Sequence, residues 1–241
     1  PAEAASRAMN EPVILIPGLM CDARVFAHQV RHILPERPVM LWHPRGQTVE
    51  EMSAAVLSVA PPSFALVGLG LGGDVALDVV RRALARVTRI ALLSTDPMTE
   101  AAAIAAAREA RMVAARAGRM FQAIADEYPA TDMGPRAAAI QTLLRDMAEH
   151  LGEGVFIGQS KAMQRRPDQQ KTMRRATLPA LIMGGGQDSL VPRRRHEFIS
   201  QLMPFATLHM IENAGHLLPL EAPEQTTEAL QAFLRGPMLL R

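Results

Sequence analysis

The sequence predicts an α/β fold, a doubly wound and mostly parallel sheet with an inserted helical cap. Three observations carry this expectation: short apolar runs alternate with longer amphipathic stretches, one long middle stretch breaks the alternation, and the alternation then resumes. Apolar runs without period-two patterning are typical of strands buried on both faces of a parallel sheet. Strand and helix in strict alternation imply right-handed crossovers. A chain of 241 residues, 49% apolar by type, is long enough to bury one such core.

The first four strands are read at "VILIP" (13–17), "VMLW" (39–42), "FALVG" (64–68) and "VTRIALLS" (87–94). Between them, 21–34, 48–60 and 71–85 have helical periodicity, and Thr48 and Glu51 are spaced as a capping box. From 96 to 176 there is no defensible strand, only Ala-, Arg- and Met-rich helical stretches such as 100–118 and 135–152, the latter with Pro135 in its first turn and Gly152 at its end. "LPALIMGGG" (178–186), a helix from Pro192 to about Met203, "ATLHMIE" (206–212) and a last helix from Pro223 to Leu234 restore the rhythm. The expected division is a core of 11–95 and 177–236, a cap of 96–176 and a flexible segment 1–10. The cap is expected to be apolar inside and arginine-rich outside, and its methionines at 98, 112, 120, 133, 147 and 163 either line an adaptable pocket or fill space between helices.

Charge and cysteine content exclude several functions. Net charge is +2, and the basic clusters Arg193-Arg194-Arg195 and Arg165-Arg166 are short and lie beside prolines, unlike a nucleic-acid footprint. Arginine greatly outnumbers lysine, whose only instances are Lys161 and Lys171, a bias of GC-rich bacterial genomes. Cys21 is the single cysteine, so no intrachain disulfide forms, and a buried inert thiol is its plain reading. His28, His32 and His43 lack metal-ligand spacing and read as structural or exposed. No apolar run spans a bilayer, and the first ten residues lack the parts of a signal peptide, so a cytoplasmic location is expected.

The stretch "LVGLGLGG" (66–73) ends a strand and opens a helix. Gly68, Gly70 and Gly73 fit the letters of G-x-G-x-x-G, the dinucleotide fingerprint. That fingerprint belongs on the first strand of its domain, with an acid ending the next; here two strand-helix units precede it, and Asp96 follows Gly73 by 23 residues. The phosphate-binding P-loop is excluded, because no Gly-Lys-Ser/Thr follows. The same letters fit a nucleophile elbow, Gly68-Leu69-Gly70-Leu71-Gly72, with Gly70 at the nucleophile position. In such an elbow the central residue is held at positive φ, at a cost of about 1 to 3 kcal/mol for a residue with a Cβ.

The rest of the chain favours the elbow. "GGGQDSLVP" puts Asp188 just past a strand, and "NAGHLLPLEAPE" puts His216 in the loop after the last strand. Nucleophile position, acid and histidine, in that order, are the order of an α/β-hydrolase triad. Asp96, past the preceding strand, is the alternative acid. "LIPGLMCDARVF" sets Pro17-Gly18-Leu19 at the end of the first strand, where a backbone N–H can help form an oxyanion hole.

From about Pro12 to Leu234 the chain resembles the α/β-hydrolase-fold superfamily, in its compact, cap-bearing bacterial form. The resemblance implies Asp188 as orienting acid, His216 as general base and the N–H groups of Leu19 and Leu71 as oxyanion donors, with no cofactor and no metal. Two departures stand out: Pro17 occupies a position where many members have histidine, and Leu69-Gly70 replaces a frequent His-Ser.

In the family mechanism a serine Oγ attacks an acyl carbonyl while His takes its proton. Gly70 has no Oγ, so no acyl-enzyme forms there. The expected function is hydrolysis of an ester or related small acyl substrate under the cap, absent or weak by the serine route, with Gly70 natural or a replaced serine. Water activated by His216 is a serine-free route, and loss of triad members typically leaves a rate about 10³ to 10⁴ above solution. The alternatives are a non-hydrolytic member using His216 and Asp188 for proton transfer, a ligand-binding pseudoenzyme, and, remotely, a dinucleotide-binding protein.

Overall fold

The computed structural model describes residues 11–237, so the segment 1–10 expected to be flexible lies outside the described residues. The apolar runs form β1 (Val13–Ile16), β2 (Val39–Leu41), β3 (Phe64–Leu69), β4 (Val87–Leu93), β5 (Ala180–Gly185) and β6 (Ala206–Ile211). They make one six-stranded sheet in the order β2-β1-β3-β4-β5-β6, and every pairing is parallel. All residues of β1, β3 and β5 are buried, which explains their unbroken apolar character. The chain steps from β1 outward to β2, then returns to the other side of β1 as β3. The β1/β3 boundary is therefore a topological switch point, where a crevice opens at the carboxyl ends of the strands.

The flanking helices are α1 (Ala27–Ile33), α2 (Val49–Val59) and α3 (Leu71–Ala83). Thr48 Oγ1 accepts the Glu51 N–H at 3.1 Å as the spacing predicts, but the Glu51 carboxylate turns to the Gln47 N–H rather than closing the box on Thr48. Between β4 and β5 come α4 (Ala102–Arg116), α5 (Met120–Glu127), α6 (Ala137–Leu151), α7 (Glu153–Arg165) and α8 (Gln170–Arg175), with no strand. Pro135 sits in a short 3₁₀ turn just before α6, not inside it. The last helices are α9 (Arg193–Leu202), α10 (Leu218–Glu221) and α11 (Pro223–Arg235), with α1 packing against α11 and α2 against α3. Among the described residues, no helix is long and apolar enough to cross a membrane.

This helical stretch is bonded to the loop that follows β1 through α6, α7 and Tyr128 at the end of α5. Tyr128 Oη donates to the Leu19 carbonyl at 2.7 Å, and the Met20 N–H donates to Gln159 Oε1 at 2.8 Å. Gln159 Nε2 in turn donates to the Pro44 carbonyl at 2.8 Å, beyond β2. Met112, Met133 and Met147 are buried as filler between these helices. Most arginines of this stretch are exposed, as expected, but Arg108 and Arg166 are buried, drawn in by carboxylates and carbonyls.

Candidate active site

The elbow forms because β3 must reverse into α3 in a single residue. Gly70 takes φ 51° and ψ −116°, a left-handed conformation, and its N–H donates to the Leu93 carbonyl of the adjoining strand at 2.9 Å. Only glycine holds this backbone without strain. Gly72 serves close approach: a Cβ there would collide with the Ile16 carbonyl of β1. The glycine spacing thus follows from packing α3 against β1 and β3.

His216, in the loop after β6, reaches back to this turn. A Cβ placed on Gly70 would stand 3.3 Å from His216 Nε2, with the Ser94 carbonyl its next neighbour at 3.9 Å. The other ring nitrogen, Nδ1, is hydrogen-bonded to Asp188 Oδ2 at 2.9 Å. That bond makes Nδ1 the protonated nitrogen and leaves the lone pair of Nε2 facing Gly70. Asp188 is itself held by the Leu190 and Val191 N–H groups, both 2.9 Å from Oδ1. Burial works against the imidazolium, but the Asp188 charge and hydrogen bond outweigh it and hold His216 above the usual histidine range. Burial likewise raises the Asp188 carboxyl, and the pull of His216 with the two backbone donors reverses this, leaving it below the usual carboxylate range.

These groups face a cavity of about 360 Å³, whose wall includes Leu19, Gly70, Leu71, Tyr128, Leu190 and His216. Leu71 is the first residue of α3, so its N–H has no acceptor within the helix. Leu19, in the loop after β1, lines the same cavity. Part of the wall is charged. Arg108 is forked between Glu100 and Glu127, and Arg111 adds a bond to Glu127 at 3.0 Å. Of the six methionines named above, Met163 is on the cavity wall. A larger depression of about 900 Å³ lies between β6 and α11, but it is open and lacks a base paired with an acid.

The other sequence candidates fall elsewhere. Asp96 lines the cavity yet pairs with Arg195 at 3.3 Å, while the histidine bond goes to Asp188. Cys21 is fully buried, and burial pushes its thiol up to about 12, which leaves it unreactive. His28 bonds Thr227 and stacks on His32, and burial pushes His43 down to about 4. Among the described residues, no group of three His, Cys, Asp or Glu could hold a metal ion. Sequence reasoning missed Tyr128, whose ring lies 5.8 Å from that of His216, and Asp74, an acid in the first turn of α3. The one available signal for Asp74 was a carboxylate inside an otherwise apolar helix start.

The pattern of the alpha/beta hydrolase family matches residues 13–229. A pimeloyl-[acyl-carrier protein] methyl ester esterase of Aromatoleum aromaticum is 28% identical over 211 residues, covering 80% of this chain and 82% of its own. An enzyme of the same name from Salmonella newport is 24% identical, covering 78% and 76%. Among solved structures, an enol-lactonase from Burkholderia xenovorans superposes with a TM-score of 0.84 at 20% identity, covering 94% of this chain and 92% of that one. A thermophilic esterase from Thermogutta terrifontis superposes at 0.79 with 22% identity, covering 94% and 90%.

Proposed function

The chain belongs to the alpha/beta hydrolase family and is a hydrolase by lineage; on that premise we propose that its site takes a small ester or related acyl substrate beneath α4 to α8, acting as a cap, and lacks the covalent step of the serine mechanism. The ester class draws on the two methyl ester esterases similar to this chain. Asp188 holds the imidazole, His216 is the base, and the N–H groups of Leu19 and Leu71 receive the carbonyl oxygen as negative charge develops on it. In this chain His216 Nε2 takes the proton of a water beside Gly70 as that water attacks the carbonyl, then returns it to the departing alkoxide. The reading rests chiefly on one distance, the 3.3 Å between His216 Nε2 and the place a Gly70 Cβ would occupy.

The test is to compare the chain with its Gly70→Ser form on a panel of p-nitrophenyl esters. The serine form is expected to turn over short acyl esters at least about 10³-fold faster than the glycine form. A folded serine form without turnover on any ester would sink the hydrolase reading. A second reading draws on the intact Asp188–His216 pair beside an absent nucleophile: proton transfer to and from a bound small molecule, with no hydrolysis. Under it, His216→Ala abolishes whatever activity the glycine form has.

A further inference from the structure

The cavity contains a buried carboxyl that has an ion-pair partner but no hydrogen bond. Asp74 lies on its wall, one helical turn beyond Gly70, and is 2% exposed. Neither of its oxygens has a hydrogen-bond partner. Arg166 Nη1 stands 3.6 Å from Oδ2, close enough for charge attraction but too far for a hydrogen bond. Burial pushes the carboxyl up to about 7, against the pull of Arg166 and with the added push of Asp96 and Glu100. A second unpartnered polar atom, Ser94 Oγ, belongs to the same wall at the end of β4. The neighbouring Thr95 packs on Gly73, which brings the end of β4 against the first turn of α3.

Leaving a buried acceptor without a donor is costly, so a persistent orphan needs a reason. Charge is not what Asp74 lacks. Asp74 faces Arg166, Glu100 and Glu127 hold Arg108 and Arg111, and Asp96 is held by Arg195, so the carboxylates and guanidiniums of this wall balance. What is missing is a hydrogen-bond donor. A cationic ligand would meet the neighbouring guanidiniums, whereas a neutral hydroxyl supplies a donor without adding charge.

We propose that Asp74 is a specificity-determining residue that accepts a hydrogen bond from a neutral hydroxyl on the acyl part of the substrate. The inference rests on the reading above for the placement of the acyl carbonyl at Leu19 and Leu71. From Gly70, beside which the acyl carbon sits, Asp74 is four residues on, a helical rise of about 6 Å, which suits a hydroxyl on the fifth carbon of the acyl chain.

The test uses non-hydrolysable probes on the unaltered chain: N-methylpentanamide and its 5-hydroxy and 5-amino derivatives, with binding measured by calorimetry at about pH 8.5, where the Asp74 carboxyl is ionised. The 5-hydroxy probe is expected to bind about tenfold tighter than the parent, as for a hydrogen bond to a charged group, and tighter than the amine. Asp74→Leu should erase that preference while keeping or improving affinity for the parent. Thermal melting checks the fold of the variant. Should Asp74→Leu not fold, Asp74→Asn serves instead, with the preference falling to about threefold. No binding by any probe, no hydroxyl preference, a preference for the amine, or a preference that survives substitution would each overturn the proposal. Ester turnover by the Gly70→Ser form is scored separately, so failure of the hydrolase reading is distinguishable from failure of the subsite.

Discussion

His216 is protonated more readily than an ordinary histidine because the Asp188 carboxylate overcomes the effect of burial. A general base works only as the neutral ring, so the rate of the Gly70→Ser form should rise with pH to a plateau. The midpoint should lie above the ordinary histidine value of about 6.5. Asp188→Asn removes the charge that raises it, so the midpoint should move to lower pH and the plateau should fall roughly 10⁴-fold. A pH profile of kcat/KM checks both, and a midpoint unmoved by Asp188→Asn would contradict the assignment. At this scale the sequence was legible where chemistry sits in loops: Asp188 and His216 each follow a strand, amid glycines and prolines. Asp74 was not, because an acid in a helix first turn ordinarily reads as a partner for the helix dipole.

The loop after β1 and helix α7 act as one element. Met20 has φ 52°, a conformation that residues with long side chains rarely adopt, and its N–H is held by Gln159. Gln159 is fully buried and also donates to Pro44, so it spans two loops at the carboxyl edge of the sheet. Gln159→Leu leaves the Met20 N–H and the Pro44 carbonyl without partners. The expected cost is about 1 to 3 kcal/mol of stability, measurable by urea denaturation; an unchanged midpoint would show that Gln159 does not fasten the loop. The helices 100–118 and 135–152 stood out in the sequence and correspond to α4 and α6. Their neighbours α5, α7 and α8 did not, since they are short or mix glycine and glutamine with apolar residues. Their positions depend on contacts such as Tyr128 to Leu19, which no local pattern encodes.

Across the whole molecule the parallel sheet follows from strand-helix alternation, whereas its order does not; the switch point that the order creates is where Leu19, Gly70 and Leu71 meet. One tie across the fold was invisible in the pattern. Arg89 lies inside the apolar run of β4, fully buried, yet it pairs with Glu11 at 3.3 Å and donates to the Phe233 and Gly236 carbonyls at the end of α11. Arg89→Leu strands Glu11 with Arg37 alone and takes the donor from the Phe233 and Gly236 carbonyls. Breaking such a buried pair typically costs about 3 to 5 kcal/mol, and the thermal midpoint should fall accordingly. A variant that melts with the parent would show the tie to be dispensable.

The positive-φ turn at Gly70 has a consequence for the lineage. Its backbone keeps the shape a nucleophile needs, although no side chain is there to use it. A glycine codon ending in a pyrimidine becomes a serine codon through a change of its first base. From such a codon, one nucleotide separates this chain from covalent chemistry, and reversion would find the scaffold already folded around it.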